Sequence, residues 1–214
     1  MTDKITNRPD WLAARCSGIG GSDAGAVLGV NKYKTNVQLW EEKTGRIIPE
    51  DISDKPAVQF GKAAEPHIRG LFVIDHPEYE VDYHEFWIYH NPGAPYVFAT
   101  LDGELTDGEG RRGVLEIKTC TIRSKTQWDE WEDGVPQSYY VQLVHQLLAT
   151  GWDFALLRAY IRYYRDGTLR VSVREYRIDR AEVEEDMQYL MEKEREFWHC
   201  VETNTRPALI LPNI

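Results

Sequence analysis

The chain has 214 residues, 42% of them hydrophobic and 12% aromatic, which suits one compact domain over residues 1–214 with a sizeable core. Cys16, Cys120 and Cys200 are scattered and form no CxxC pair, which argues against a zinc ribbon, a disulfide framework and four-cysteine iron–sulfur ligation. No run of about 18 apolar residues offers a membrane span, and the polar start MTDKITNRPD lacks the pattern of a secretory signal, so a reducing cytoplasm is the expected compartment.

In chain order, Asp10 to Arg15 (DWLAAR) reads as a short helix broken by Gly18, Gly20 and Gly21. Ser22 stands where an N-cap belongs, before DAGAVLG. A helix over Val37 to Lys43 stops at Gly45, and residues 58–74 are helical, with Pro66 in a first turn or at a kink. From Phe86 to Thr119 the pattern turns to strands: FWIYH, YVFATLDGEL and GVLEIKTC, the last two flanking the turn-prone TDGEGRR. A long helix from about Pro136 to Thr150 ends before Gly151. ALLRAYIRYY and LRVSVREYRI then enclose Asp166-Gly167, a hairpin signal, and Asp179 opens a last helix with Glu182 at the capping-box position. Helices, a mixed central sheet and further helices describe an α/β (α+β) core. Along the first hairpin strand, Arg158, Tyr160, Arg162 and Tyr164 share one face, expected to be solvent-facing.

The stretch richest in chemistry is Asp102 followed by Glu116-Ile117-Lys118. Side chains alternate along a strand, so Glu116 and Lys118 share a face that Ile117 does not. A hairpin centred near Glu109 places Asp102 opposite Glu116 and Thr100 opposite Lys118, with Cβ atoms roughly 4.5–5.5 Å apart. Two carboxylates so close call for a cation, and Mg²⁺ prefers a few carboxylates with several waters. Such an ion polarises a phosphodiester, and a lysine beside it orients the attacking water or neutralises developing charge. The same residues also fit a solvent-facing hairpin strand.

Arg15, the GIGG loop and Ser22 fit a phosphate cradle, because backbone N–H groups at a helix start attract anions and arginine holds phosphate bidentately. An ordinary corner between two helices would look the same. Tyr139, Gln142, His145 and Gln146 share one helix face, expected to be a solvated shoulder, and His145 has no partner at metal-ligand spacing. The net charge of −10 is unusual for a chain that acts on nucleic acid. Either acidic residues face outward around a basic channel, or the partner is not DNA.

Taken in order, Trp11-x-x-x-Arg15 with Ser22, Gly61-x-x-x-Glu65, Thr100-Leu101-Asp102-Gly103, Leu115-Glu116-Ile117-Lys118 and Tyr139-x-x-Gln142 resemble the phage lambda exonuclease family. These viral recombination nucleases carry a restriction-endonuclease-like PD-(D/E)xK core, and the likeness runs from about Trp11 to Gly151. The resemblance implies Mg²⁺, with Mn²⁺ possible and two ions per site, held by Asp102, Glu116 and the Ile117 carbonyl, with Glu65 acting through water. It implies Lys118 as the activating residue, Gln142 as the positioner of water or phosphate, and Arg15, Ser22 and Thr100 as the binders of a terminal 5′-phosphate. Trp11 packs the Arg15 helix. The implied activity is 5′→3′ digestion of one strand from duplex DNA ends by a ring-shaped trimer with Arg69, Arg123 and Lys125 lining its channel. The implied setting is a phage or prophage protein that works with a single-strand-annealing protein in a bacterial host. A structure-specific or restriction-like endonuclease of the same core, and a non-catalytic acidic DNA mimic or end-binding protein, are the alternatives.

Overall fold

The computed structural model of the chain describes residues 1–132 and 134–211. In order the elements are β1 (Thr2–Lys4), α1 (Arg8–Arg15), α2 (Gly21–Val27), α3 (Asn36–Lys43), α4 (Pro56–Asp75), β2 (Glu80–Asp82), β3 (Trp87–Asn91) and β4 (Ala94–Ala99). There follow β5 (Gly103–Thr106), β6 (Arg112–Ile122), α5 (Lys125–Glu132), α6 (Gln137–Thr150), β7 (Phe154–Arg165), β8 (Thr168–Asp179) and α7 (Glu184–Glu202). Among the described residues no helix is long and apolar enough to cross a membrane.

The expected mixed sheet flanked by helices is present. A five-stranded sheet runs β2-β5-β6-β7-β8, and a three-stranded sheet runs β1-β3-β4. Every pair is antiparallel except β6 and β7, which run parallel. A parallel pair needs a crossover, and α5 with α6 supplies it. Both faces of the central strands are covered, so their sequences are apolar on both sides. Val114 and Leu157 face the α6 layer with Leu143 and Leu147. Leu115, Ile117 and Leu156 face Ile68 and Phe72 of α4.

Several expectations are corrected here. YVFATLDGEL is not one strand: it divides at Thr100 to Asp102 into β4 and β5, which belong to different sheets. The β5–β6 register is the expected one, with Gly103 opposite Leu115, but the ladder starts at Gly103, so neither Asp102 with Glu116 nor Thr100 with Lys118 forms a strand pair. Pro56, not Pro66, occupies the first turn of α4, and Pro66 lies inside the helix. Pro66 and Lys62 are both exposed, so water can reach the carbonyl that proline leaves without a helical partner. Ser22 falls inside α2, whose N-cap is Gly20. Asp179 opens a short 3₁₀ turn, with the Glu182 capping contact in place, before α7 begins. Asp166 and Gly167 turn the β7–β8 hairpin at φ +51° and +71°, as the Asp-Gly signal predicts.

Two faces expected to be wet are dry in part. Arg158 is buried, bonded to Glu175 at 2.6 Å and to Asp75, because α4 lies across that end of β7. Exposure rises along the strand, and Tyr164 is open to solvent. His145 and Gln146 are buried because α6 fills the space between both sheets and α7. His145 Nδ1 lies 2.6 Å from Glu194 Oε1 on α7, and Nε2 lies 2.8 Å from the Phe98 carbonyl on β4. A carboxylate and a carbonyl both accept, so a ring that donates to both is an imidazolium.

Burial opposes that charge, but Glu194 and the Phe98 carbonyl outweigh it and raise the His145 pKa. A raised histidine pKa stabilises the fold fully below the unfolded value, near 6.5, and the contribution is lost as pH climbs through the folded value. The urea midpoint should therefore fall as pH rises above about 6.5. His145→Gln should be less stable by roughly 1–3 kcal/mol at pH 6, the cost of leaving a buried charged partner unmatched, and should lose that slope. An unchanged slope in the variant would remove His145 as its source.

Candidate functional site

β6 presents Glu116 and Lys118 toward α6, and Ile117 toward α4, as strand alternation requires. Glu116 is only 3% exposed, and three donor contacts compensate the burial of its carboxylate. Lys118 Nζ and Gln142 Nε2 each approach Oε1 at 2.6 Å, and Gln146 Nε2 donates to Oε2 at 2.6 Å. Gln142 and Gln146 are four residues apart and so project from one side of α6. Sequence reasoning noticed Gln146 and left it out of the site. A glutamine one turn beyond a motif glutamine was the available signal, but only the packed helix shows both amides reaching one carboxylate.

Asp102 stands at the turn between β4 and β5. Its Oδ2 accepts the Ile117 N–H at 2.8 Å, which holds the carboxylate against the Glu116 end of β6. Burial, then the neighbouring charges of Glu116 and Glu65, raise the Asp102 pKa well above the usual carboxylate range. Burial also works against the Lys118 ammonium, but Glu116 and Asp102 outweigh it and raise the Lys118 pKa. Glu65 and Arg69 lie one turn apart on α4. Arg69 Nη1 donates to Glu65 at 3.1 Å and to the Asp102 carbonyl at 2.6 Å, while its guanidinium lies 3.6 Å from the Tyr83 ring centre. Arg69 therefore braces the acidic wall, whereas Arg123 and Lys125 are exposed.

The glycine-rich segment forms the opposite wall. Ile19 N donates to the Tyr96 carbonyl at 2.6 Å, and Phe98 N donates to the Ile19 carbonyl at 3.0 Å, so the segment runs along β4 like an added strand. A Cβ on Gly18 would stand 2.3 Å from the Tyr96 oxygen, too close for any side chain. Gly21 brings the start of α2 against α6, where a Cβ would meet Gln142 Cγ at 3.2 Å. Lys43 of α3 pins the corner: its Nζ lies 2.8 Å from buried Asp23 and 2.9 Å from the Arg15 carbonyl. Arg15 stacks on Trp11, 4.4 Å from the ring centre, in keeping with a packing role for Trp11, and reaches Ser22 Oγ at 3.4 Å. Burial lowers the Arg15 pKa, from a value high enough that the guanidinium stays charged.

These walls enclose one cavity of about 340 Å³. Arg15, Ser22, Glu65, Thr100, Asp102, Glu116, Ile117, Lys118 and Gln142 all line it, so every residue singled out for the site from sequence comes to one place. Arg15 on one side faces the carboxylates of Asp102 and Glu116, with Lys118, on the other, an arrangement that can hold a phosphate at one end and polarise it at the other.

Comparison with known proteins bears on the family and the fold. The chain is 29% identical over 209 residues to the uncharacterized protein YqaJ of Bacillus subtilis (strain 168), covering 90% of this chain and 56% of that protein. The chain thus spans little more than half the length of the curated relative it matches. Its fold is similar to that of an alkaline exonuclease (LHK-Exo) from Laribacter hongkongensis, with a TM-score of 0.57, 21% identity, and 94% of this chain and all of the other covered. The same enzyme in complex with dAMP superposes with a TM-score of 0.56 at 22% identity. A phage related exonuclease from Haemophilus somnus 129PT gives a TM-score of 0.55 at 11% identity, over 87% of this chain and 96% of that one. The YqaJ-like viral recombinase domain matches residues 10–153, a span that includes every residue lining the cavity, and the chain belongs to that family.

Proposed function

We propose that the chain is a recombination nuclease that hydrolyses one strand of linear duplex DNA in the 5′→3′ direction from 5′-phosphorylated ends. The observation that carries this is the convergence of a phosphate-type cradle, Arg15 with Ser22 and Thr100, and a paired-carboxylate wall, Asp102 with Glu116, in a single cavity. A dAMP complex of the similarly folded LHK-Exo supports a nucleoside monophosphate product.

The donor set fits a divalent ion. Glu116 is buried and Asp102 half-buried on the same cavity wall, and burial with the neighbouring charges of Glu116 and Glu65 raises the Asp102 pKa, a strain that a cation there would relieve. Among the described residues no group of three or more His, Cys, Asp or Glu gathers closely enough to hold a metal. Two carboxylates leave coordination positions for water and phosphate oxygens, the habit of Mg²⁺. Asp102, Glu116 and the Ile117 carbonyl would hold Mg²⁺ or Mn²⁺, two ions to a site, with Glu65 joined through water; the metal would supply Lewis-acid polarisation of the scissile phosphate.

The remaining steps belong to the chain's own groups. Arg15, Ser22 and Thr100 bind the terminal phosphate and set the distance from the end to the bond that breaks. Lys118, bonded to Glu116 and lining the cavity beside Asp102, activates the attacking water, by orienting it or taking its proton, and neutralises charge on the phosphorane. Gln142 bonds Glu116 and lines the cavity, so it fixes the carboxylate and offers its amide to phosphate. Extended to the assembly, a ring-shaped trimer would enclose the duplex with exposed Arg123 and Lys125 toward its channel, and a single-strand-annealing protein would take up the product strand. A monomer by light scattering overturns the ring.

Linear duplex with a labelled 5′-phosphate should release labelled mononucleotides with Mg²⁺ and none with EDTA, while a covalently closed plasmid resists. Cutting of the closed form would indicate an endonuclease of the same core, and binding without release an end-binding protein. Asp102→Asn should abolish release while the metal-free melting temperature does not fall. A large fall would make Asp102 structural. Lys118→Ala should lower turnover by roughly 10²–10⁴-fold with DNA binding retained, and normal turnover would remove Lys118 from the chemistry. Arg15→Ala should erase the preference for 5′-phosphate over 5′-hydroxyl ends, a difference of roughly 1.5–3 kcal/mol for charge-assisted hydrogen bonds. A preference that survives would move the phosphate elsewhere.

A further inference from the structure

A second cavity, also about 340 Å³, adjoins the first and shares Gly21, Ser22 and Gln142 with it. Its chemistry differs. The first cavity carries Arg15 and Lys118 toward a phosphate. The second has one cation in its lining, Lys32, already bonded to Glu130 at 2.6 Å. Glu130 also lines it, so the one charged pair cancels, and the other polar side chains, Asn31, Thr121, Gln127 and Ser138 among them, are neutral. Trp131 and Tyr139, with ring centres 5.6 Å apart, lend it aromatic surface. Neutral hydrogen-bonding groups beside aromatic rings suit a base, not a phosphate.

Tyr33 supplies the stronger indication. It lies on this cavity and is 94% exposed, an unusual position for a large aromatic ring. Its backbone is nevertheless fixed. Asn31 Oδ1 accepts the N–H groups of Tyr33 at 2.8 Å and Lys34 at 3.1 Å, closing a side-chain-to-backbone turn. Lys32 on one side bonds Glu130, and Lys34 on the other bonds Glu42 at 2.5 Å. The turn is stapled to α5 and α3 while the ring it carries has almost no protein partner. A ring presented in this way loses little freedom on stacking and has water to release.

We propose that the second cavity receives a nucleobase of the strand whose phosphate occupies the first, with Tyr33 as its stacking platform. This deepens the nuclease reading and rests on it. Stacking tolerates any base, so the subsite would hold an unpaired nucleotide near the cut without imposing a sequence. Gly21, Ser22 and Gln142 line both cavities, so neighbouring groups of one strand could occupy the two at once.

The test uses 5′-phosphorylated duplexes with 2-aminopurine at one of the first few positions from that end, bound in EDTA so that nothing is cut. Wild-type protein should quench the fluorescence at one or two positions, as stacking does. Tyr33→Ala should lose that position-specific quench and bind roughly 5- to 150-fold more weakly, the usual worth of one stacked base. Tyr33→Trp should restore both. Because Tyr33 is exposed, its replacement leaves the core untouched, and an unchanged melting temperature checks this. A quench and affinity indifferent to Tyr33→Ala, or no positional quench while wild type binds, overturns the subsite and leaves the nuclease reading standing. Failure of wild type to bind DNA or to release nucleotides with Mg²⁺ sinks both.

Discussion

The burial of Glu116 is the constraint on which the site depends. A carboxylate with 3% exposure is tolerated only if charge and hydrogen bonds replace its water, and removing one partner from such a group typically costs about 3–5 kcal/mol. The replacements come from two elements far apart in sequence. Lys118 sits two residues along the same strand, while Gln142 and Gln146 arrive from α6. For both amides to reach, α6 must lie close over β6 at one rotation. Leucines on that helix provide the apolar contact, and His145 holds the same turn to β4 and α7. The geometry of the cavity and the helix packing are thus one arrangement.

The same logic extends to the anion side of the cavity. Gly18 and Gly21 permit backbone approaches that a side chain would block, so the segment before α2 can lie along β4 and against Gln142. Lys43 then ties the Arg15 carbonyl to Asp23, a carboxylate whose burial would raise its pKa but which Lys43 brings below the usual range. Arg15 reaches the cavity from a helix that buries no residue of its own, so its placement depends on these tethers and on Trp11. The glycine-rich corner and the carboxylate wall share α6 as a common backing.

The charge of −10 is less at odds with DNA once its distribution is seen. Glu184, Glu185 and Asp186 are exposed in the first turn of α7, where the helix N-terminus favours negative charge. Arg15 and Lys118 nonetheless line the cavity beside Glu65, Asp102 and Glu116, with Arg69 held against Glu65. Net charge averages over a surface, while binding depends on the local field, so total charge misleads when the two signs are segregated.

Sequence by itself determined the kinds of groups present and their strand-level order. Alternation put Glu116 and Lys118 on one face, the β5–β6 register followed from the hairpin centre, and Asp-Gly fixed the β7–β8 turn, because each rests on contacts between residues close in the chain. The family likeness drew Arg15, Glu65, Asp102, Glu116, Lys118 and Gln142 together before any fold was available, and they do meet in one cavity. What lay beyond the sequence was set by elements packing across long separations. The break of one apparent strand into two sheets, the burial of Arg158 under α4 and of His145 and Gln146 beneath α6, and the fixed turn that presents Tyr33 are of this kind. A period along the chain states which residues share a face; only the tertiary structure decides what that face meets, since burial depends on the elements that come to cover it.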